Sequence, residues 1–217
     1  MSTITLLRKE VRLFLPPTYL LTAALTLFNL IPHYPMIIGA SYFILALFIA
    51  FSEANANKDH EFTIALPVSR NRVVLAKHLS VAALELVQFA ALAIVAVFAA
   101  LITPDGNVIG MDGNYAFFGL VLVSAGLFNV IFLPGYFSTG YKTGRSGVLA
   151  AITFFVSYGI FELLINVIPG ASDVLDTLDP ADAGLQLVVL AIGAVAYLVL
   201  TATSYRLSVG RFDRVNL

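Results

Sequence analysis

Glu85, Gln88, Asn129 and Glu162 are polar residues that stand inside long apolar blocks of the sequence. A carboxyl group in an apolar medium is costly unless it is paired, faces water or carries a proton. Glu85 therefore has three open interpretations: it lines a path for a solute, it pairs with a basic group, or it forms an interhelical hydrogen bond that fixes packing. Glu162 lies near the end of its block, where plain solvation competes with a role at an outer gate. All four are candidates for a translocation pathway.

Residue types that support catalysis do not cluster in this sequence. The chain has no cysteine, which excludes disulfides, thiolate chemistry and Cys-ligated metals. His33, His60 and His78 lie in separate segments, without the paired groups that an intramembrane enzyme needs. No Gly-rich run ends in Gly-Lys-Ser or Gly-Lys-Thr. Segment 143–147, TGRSG, lacks both the length and the lysine of a phosphate-binding loop. The acidic segment 172–182 lacks the dense alternation of a calcium loop. We therefore expect no catalytic residue, metal or cofactor on this chain.

The apolar blocks that carry these residues have membrane-spanning length. The chain of 217 residues is 59% hydrophobic and 12% charged, outside the range of soluble globular domains. Blocks long enough to cross about 30 Å of hydrocarbon lie at about 16–31, 35–51, 79–102, 117–136, 148–168 and 185–204. The sequence thus predicts an all-α, polytopic membrane protein with one transmembrane domain, 1–217, and six transmembrane helices. The first two blocks are joined by a tight turn or form a re-entrant hairpin.

The charges predict the orientation of these helices. With six spans, all 12 Lys and Arg residues fall on the side of the N-terminal tail, the second and fourth loops and the C-terminal tail. The opposite loops carry acids alone: Asp105, Asp112, Asp173, Asp176, Asp179 and Asp182. Because basic loops stay in the cytoplasm, both termini are expected there. The basic residues form only short, scattered clusters, so nucleic-acid binding is not expected.

Segment Thr3–Leu15 shows helical amphipathic spacing. One face carries apolar residues and the other carries basic ones: Ile4, Leu7, Val11 and Leu15 against Arg8, Lys9 and Arg12. This pattern predicts an N-terminal helix that lies in the cytoplasmic interface. A basic flank that only anchors the first span is the alternative.

The central segment 53–72 is the one long polar interruption between apolar blocks. Its first part, Glu53 to Ala65, is rich in helix formers, and Pro67 stops any helix that begins upstream. Ser69 or Asn71 then caps the next helix. The segment is too polar to cross a bilayer, so we expect a short helix at the membrane surface that faces a partner.

The fourth block contains Asn129, Pro134 and Gly135, which predicts a kink near its cytoplasmic end. A kink can serve as a hinge. Equally, Gly119, Gly126 and Gly135 allow close packing of helices.

The string from Phe62 to Leu79, FTIALPVSRNRVVLAKHL, resembles the "LPVSR … VLAKYL" signature of small ABC-2 type transporter permeases. These are the six-helix membrane subunits of bacterial exporters whose ATPase is a separate chain. The motif covers about 28 residues around the central segment, and the likeness in length, span number and topology extends over the whole chain. His78 stands where an aromatic residue is usual.

The resemblance implies that a short cytoplasmic coupling helix at 53–66 binds a groove of the ATP-binding subunit. Carried over to this sequence, the partner-binding residues are Glu53, Lys58, Asp59, Glu61, Phe62, Leu66 and Arg70. Phe62 would provide a buried anchor, while the charges would give register and specificity. ATP and Mg would bind the partner subunit. The resemblance also implies a short broken helix near the outer end of the fifth span, at Glu162 to Gly170.

The expected function is therefore that of a permease subunit of an ATP-driven exporter in the bacterial cytoplasmic membrane. The pathway would form between two copies, or between this chain and a related permease. The nearly uncharged helices favour an amphipathic cargo such as a peptide, a drug or a lipid-like compound. The alternative is a stand-alone secondary transporter coupled to protons through Glu85.

Overall fold

The computed structural model describes residues 17–58, 63 and 68–214, and within these ranges every regular element is helical. The α-helices are α1 (Pro17–Leu25), α2 (Met36–Ala56), α3 (Arg70–Ile102), α4 (Tyr115–Ser138), α5 (Gly144–Val167), α6 (Ala171–Leu175) and α7 (Ala183–Phe212). Short 3-10 helices lie at Thr26–Leu30 and Pro180–Asp182. The all-α class is thus confirmed for the described residues. The predicted helix Thr3–Leu15 lies outside them.

Five of these helical segments are long and apolar enough to cross a membrane. They are Met36–Ala56, Arg70–Ile102, Tyr115–Ser138, Gly144–Val167 and Pro180–Phe212. Their outward faces carry large apolar side chains, such as Leu163, Val195 and Leu198, each more than 60% exposed. So much exposed apolar surface is unfavourable in water and natural in lipid. The chain is therefore a multi-pass membrane protein.

The first apolar block forms a shorter element than the predicted span 16–31. It contains 9 residues of α-helix followed by 5 residues of 3-10 helix, which together rise about 24 Å. The buried Thr26 hydroxyl donates to the Ala23 carbonyl at 2.6 Å, and the buried Asn29 amide donates to the Pro35 carbonyl at 3.3 Å. Both hydrogen bonds are made by residues of the 3-10 helix that follows α1.

Helix α4 is the central helix of the bundle. In its most apolar window 61% of the residues are buried, against 22% in α5 and 17% in α7. Its contact with α7 brings backbone against backbone: a Cβ on Gly119 would lie 2.6 Å from the Val189 carbonyl oxygen, and one on Gly193 would overlap the Gly119 carbonyl oxygen. Only glycine permits this approach. The helix continues through Pro134 to Ser138.

Aromatic side chains fill the bundle interior. Phe43 of α2 is fully buried and packs edge-to-face on Phe89, Phe128 and Phe154, with ring centroids 5.2–5.6 Å apart. These contacts join α2, α3, α4 and α5. Edge-to-face pairs are a favoured geometry for aromatic rings, so this cluster fixes the relative positions of four helices.

The two ends of the bundle differ in charge. The turn 139–143, the start of α3 and the end of α7 meet at one end, where Tyr141 packs on Phe212 and Arg70 donates to the Phe212 main-chain carbonyl. The described basic residues lie at or near this end: Lys58, Arg70, Arg72, Lys77, Lys142, Arg145, Arg206, Arg211 and Arg214. Segments 31–35, 103–114 and 168–182 meet at the other end and carry every described aspartate except Asp213, which follows Phe212: Asp105, Asp112, Asp173, Asp176, Asp179 and Asp182. We call these the basic end and the acidic end.

Hydrogen bonds from amide side chains assemble the acidic end. Asn114 caps α4 by accepting from the Phe117 N–H at 2.9 Å, and its Nδ2 donates to the Leu175 and Thr177 carbonyls at 2.8 and 3.1 Å. Helix α5 runs unbroken to Val167, and the short helix α6 begins after Gly170, whose φ is +77°. The helix is thus broken within the expected segment Glu162 to Gly170, at residues 168–170, but the expected position of the short helix is wrong, since that helix follows the segment.

Candidate functional site

Glu85 is the centre of a hydrogen-bond network between three helices. It lies on α3 and is fully buried. Its Oε2 accepts from the Tyr197 hydroxyl of α7 at 2.6 Å and from the Asn129 Nδ2 of α4 at 3.0 Å. The three spans α3, α4 and α7 thus meet at one carboxyl oxygen.

The network continues from Glu85 toward the basic end. The Ser204 hydroxyl of α7 donates to the Asn129 main-chain carbonyl at 2.6 Å, and His78 Nε2 lies 3.2 Å from the same hydroxyl. His78 Nδ1 donates to the Val74 carbonyl at 2.9 Å, because a carbonyl only accepts. His78 precedes Glu85 by two helical turns, about 10.5 Å along α3. A polar stripe of that length therefore crosses the interface of α3, α4 and α7.

Two acceptor oxygens of this network lack partners among the described residues: Glu85 Oε1 and Asn129 Oδ1. Both belong to the side chains that already pair through Glu85 Oε2 and Asn129 Nδ2. A buried polar atom without a partner is costly. Each of these two oxygens can accept a further hydrogen bond.

Of the three interpretations of Glu85, the geometry supports the interhelical hydrogen bond. The carboxyl group pairs with a phenol and an amide, and within the described part of the chain it forms no ion pair with a basic side chain. Asn129, a second pathway candidate, is a direct partner. Neither side chain faces an open channel in this state, because both are fully buried.

Gln88 and Glu162 lie apart from the network. Gln88 Nε2 donates to the Gly39 carbonyl at 3.2 Å and to the Thr22 carbonyl at 3.5 Å, so it joins α3 to α2 and α1. Glu162 is half-buried near the acidic end of α5. Its carboxyl group lies beside Gly110, where an added Cβ would be 3.4 Å from Oε1.

The expected coupling residues are placed only in part. Glu53 lies in the last turn of α2, which ends at Ala56, so the helix that contains it is continuous with the second span and is not a separate element. Lys58 follows in a turn with φ +52°, and Arg70 begins α3. Asp59, Glu61, Phe62 and Leu66 lie outside the described residues.

Arg70 makes contacts within the chain. Its Nη1 donates to the main-chain carbonyl of Phe212 at 2.7 Å, and its guanidinium lies 5.2 Å from the centroid of the Phe212 ring. The sequence interpretation assigned this residue to the partner subunit.

The acidic end holds two open clefts. One is lined by Asn29, His33, Tyr34, Asn107 and Asp112 among others; the second is lined by Asp105, Asp112, Asp176 and Asp179 among others. In the part of the chain that the structure describes, no three His, Asp or Glu side chains are grouped to hold a metal ion.

Asp112 and Asp176 are coupled at this end. The Asp112 N–H donates to Asp176 Oδ1 at 2.8 Å, and the Asn107 N–H donates to Asp112 Oδ1 at 2.7 Å. Burial raises the pKa of both carboxyl groups above the usual range, and the Asp176 charge raises the pKa of Asp112 further, while the hydrogen bonds from main-chain N–H groups oppose the rise. These groups therefore favour their protonated forms more than exposed aspartates do.

The comparisons decide the family. A family model described as "ABC-2 family transporter protein" matches residues 3–212 of the chain. The chain belongs to the ABC-2 transporter family. No curated protein and no solved structure matches it. As an ABC-2 permease it is a membrane component of a transport system, in which an ATP-binding subunit generally supplies the energy.

The sequence interpretation missed four residues of the permease network: His78, Tyr197, Thr201 and Ser204. The last three stand on one face of α7 at positions i, i+4 and i+7, and Thr201 Oγ1 lies 3.5 Å from Asn129 Nδ2. A polar stripe at helical spacing in an apolar span was the signal that was available. His78 was noted as a departure from the usual motif and as a histidine without a catalytic partner, but not as a member of a network.

Proposed function

We propose that this ABC-2 permease is the membrane-spanning subunit of an ATP-driven exporter. The match to the family over residues 3–212 carries the proposal. The grouping of the described basic residues at one end supports an orientation with that end in the cytoplasm, where an ATPase subunit binds. Six spans, with both termini in the cytoplasm, remain the proposed topology, and the bacterial cytoplasmic membrane is the proposed location.

The coupling segment 53–66 is proposed to contact the ATPase subunit. It connects α2 to α3 at the basic end, so motion of the partner reaches two spans directly. Thr63, the one described residue between 59 and 67, is helical and only 5% exposed. ATP and Mg bind the partner subunit in this proposal.

The pathway is proposed to form between two permeases, either two copies or this chain and a paralogue. The apolar outward faces of α5 and α7 are compatible with contact to a second membrane subunit as well as to lipid. The proposed cargo is amphipathic, because the spans offer few charges to a strongly ionic solute.

A pull-down of the tagged permease in detergent, followed by mass spectrometry, tests the proposal. We expect an ATP-binding cassette subunit in equal amounts, reduced by Phe62→Ala and by Asp59→Lys. Asp105→Lys is the matched control, since it makes the same charge change at the acidic end and should leave the complex intact. Recovery of the permease alone, with solute transport in liposomes that needs no ATP, would contradict the proposal.

That second result would favour the proton-coupled alternative. The observation on its side is the buried Glu85 carboxyl group, whose Oε1 has no partner among the described residues. A proton gradient would then drive transport, and Glu85→Gln would abolish it. In the exporter proposal Glu85→Gln leaves the dependence on ATP unchanged.

A further inference from the structure

The contact between Arg70 and Phe212 joins the start of α3 to the end of α7. Arg70 is the first residue of α3, directly after the connection from α2, and Phe212 is the last residue of α7. They are 142 residues apart in sequence, yet Arg70 Nη1 donates to the Phe212 carbonyl at 2.7 Å and the guanidinium lies 5.2 Å from the ring centroid. We call this pair of contacts the α3–α7 clasp.

Helix electrostatics indicate that Arg70 serves this tertiary contact. A cation at the N-terminus of a helix is unfavourable, so Arg70 opposes the dipole of α3. The same charge at the C-terminus of α7 is favourable, and it satisfies a terminal carbonyl that the helix itself leaves without a donor. Arginine also covers an aromatic face while it donates in its own plane. The residue is thus unfavourable for its own helix and favourable for the partner helix.

Phe212 connects Arg70 to the buried aromatic side chains of the bundle. It is 2% exposed, and its ring lies 5.2 Å from that of Phe137 and 5.7 Å from that of Tyr141. Tyr141 has φ +70° in the turn between α4 and α5, a conformation that a bulky residue adopts only where surrounding packing holds it. The clasp therefore contacts α4 and the turn after it as well as α7.

The clasp is continuous with the Glu85 network. The Phe137 ring stacks on His78 with centroids 6.3 Å apart, and His78 reaches Asn129 and Glu85 through Ser204. A chain of packed side chains and hydrogen bonds can couple two distant sites energetically when its members change from one arrangement to another as a unit.

From this geometry we propose that Arg70 is a transmission residue: it passes motion of the segment between α2 and α3 to the end of α7, and does not bind the ATPase subunit. The inference rests on the proposed function, because it needs an ATPase subunit to move that segment. It changes the assignment of Arg70 from a partner contact to a positioning contact within the permease.

The test uses the natural absence of cysteine. A reporter Gly184→Cys lies at the acidic end of α7, where nothing stands within 4 Å of an added Cβ. Its thiol labelling rate is measured in the purified complex with and without ATP, together with ATP hydrolysis and subunit stoichiometry. The complex with unaltered Arg70 is expected to change its labelling rate when ATP is added. Arg70→Ala should retain the subunit and its hydrolysis but reduce the ATP-dependent change about five-fold or more.

Arg70→Lys should restore part of the response, because an ammonium group still donates to the Phe212 carbonyl. Arg72→Ala removes the same charge two residues away and should respond as the unaltered complex does. Phe212→Leu keeps the main-chain acceptor and should give an intermediate loss. Hydrogen exchange checks the contact itself: amides of 205–212 should exchange faster in the Arg70→Ala permease without its partner.

The two proposals fail in different ways. Loss of the ATPase subunit from the Arg70→Ala complex would place Arg70 in the partner interface and overturn its transmission role, while the proposed function would stand. An unchanged response to ATP in Arg70→Ala, or no response in the unaltered complex, would likewise overturn transmission through α7. A permease with unaltered Arg70 that retains no ATP-binding subunit would overturn the proposed function.

Discussion

The substitution Gly119→Ala is predicted to destabilise the permease strongly. An added Cβ would lie 2.6 Å from the Val189 carbonyl oxygen and 2.9 Å from the Leu190 Cα. Both atoms belong to the backbone of α7, so no side-chain rotation relieves the overlap. Because ordinary contact begins at 3.4 Å, the α4 and α7 backbones must separate by about 0.8 Å.

The cost of that separation follows from the contacts that it weakens. A gap of 0.5–1 Å forfeits about a quarter to a half of each dispersion contact, and overpacking of this kind costs about 1–3 kcal/mol. Since α4 and α7 form the most extensive helix pair of the bundle, we expect about 3 kcal/mol. Gly193→Ala, which overlaps the Gly119 carbonyl oxygen directly, should cost at least as much.

Gly184→Ala is the matched control, because it makes the same chemical change in α7 where nothing lies within 4 Å. In the middle of a helix this change stabilises by about 0.5–1 kcal/mol, and at Gly184, the second residue of α7, we expect a smaller gain. Reversible unfolding in mixed detergent micelles measures the free energy of unfolding of each variant. Equal stability of Gly119→Ala and Gly184→Ala would refute the close approach of α4 and α7.

Three further predictions concern hydrogen bonds and titration. Tyr197→Phe removes one of the two donors to Glu85 Oε2 and should lower the free energy of unfolding by about 1 kcal/mol, whereas an unchanged value would place the hydroxyl outside the network. Gln88→Met keeps the size of the side chain but loses its donation to two carbonyls, so amides of 20–30 should exchange faster than in the unaltered permease. For Asp176, whose folded-state pKa is raised, the protonated form favours folding. Its stability contribution is full below the ordinary pKa of 3.8 and is lost as the pH rises through the folded-state value. Asp176→Asn, which keeps an oxygen for the Asp112 N–H, should therefore raise the melting temperature at pH 7 more than at pH 4, and a lower melting temperature at pH 7 would contradict the sign.

The candidate site was predictable in part. Glu85 and Asn129 were recognisable because polar residues inside apolar blocks are rare, and the structure brings the two together. Tyr197 belongs to a polar stripe that the spacing of α7 reveals, but its pairing with Glu85 could not be predicted, because that contact exists only where α7 lies against α3. For Arg70 the motif predicts contact with a partner protein, which stays a prediction, and the structure adds a contact with Phe212 that the sequence did not indicate.

By itself the sequence determined the class of molecule, the long apolar helices and the separation of basic from acidic loops. These features follow from composition and from the distribution of charges along the chain, because span length and the placement of basic loops do not depend on which helices are neighbours. Only the tertiary structure decided that the first apolar block is a short α-helix with a 3-10 end, that Gly119 and Gly193 set the approach of α4 to α7, and that Glu85 meets Tyr197. Each of these depends on which helices are neighbours, and in lipid the apolar pattern does not specify neighbours because every span is apolar on most of its surface.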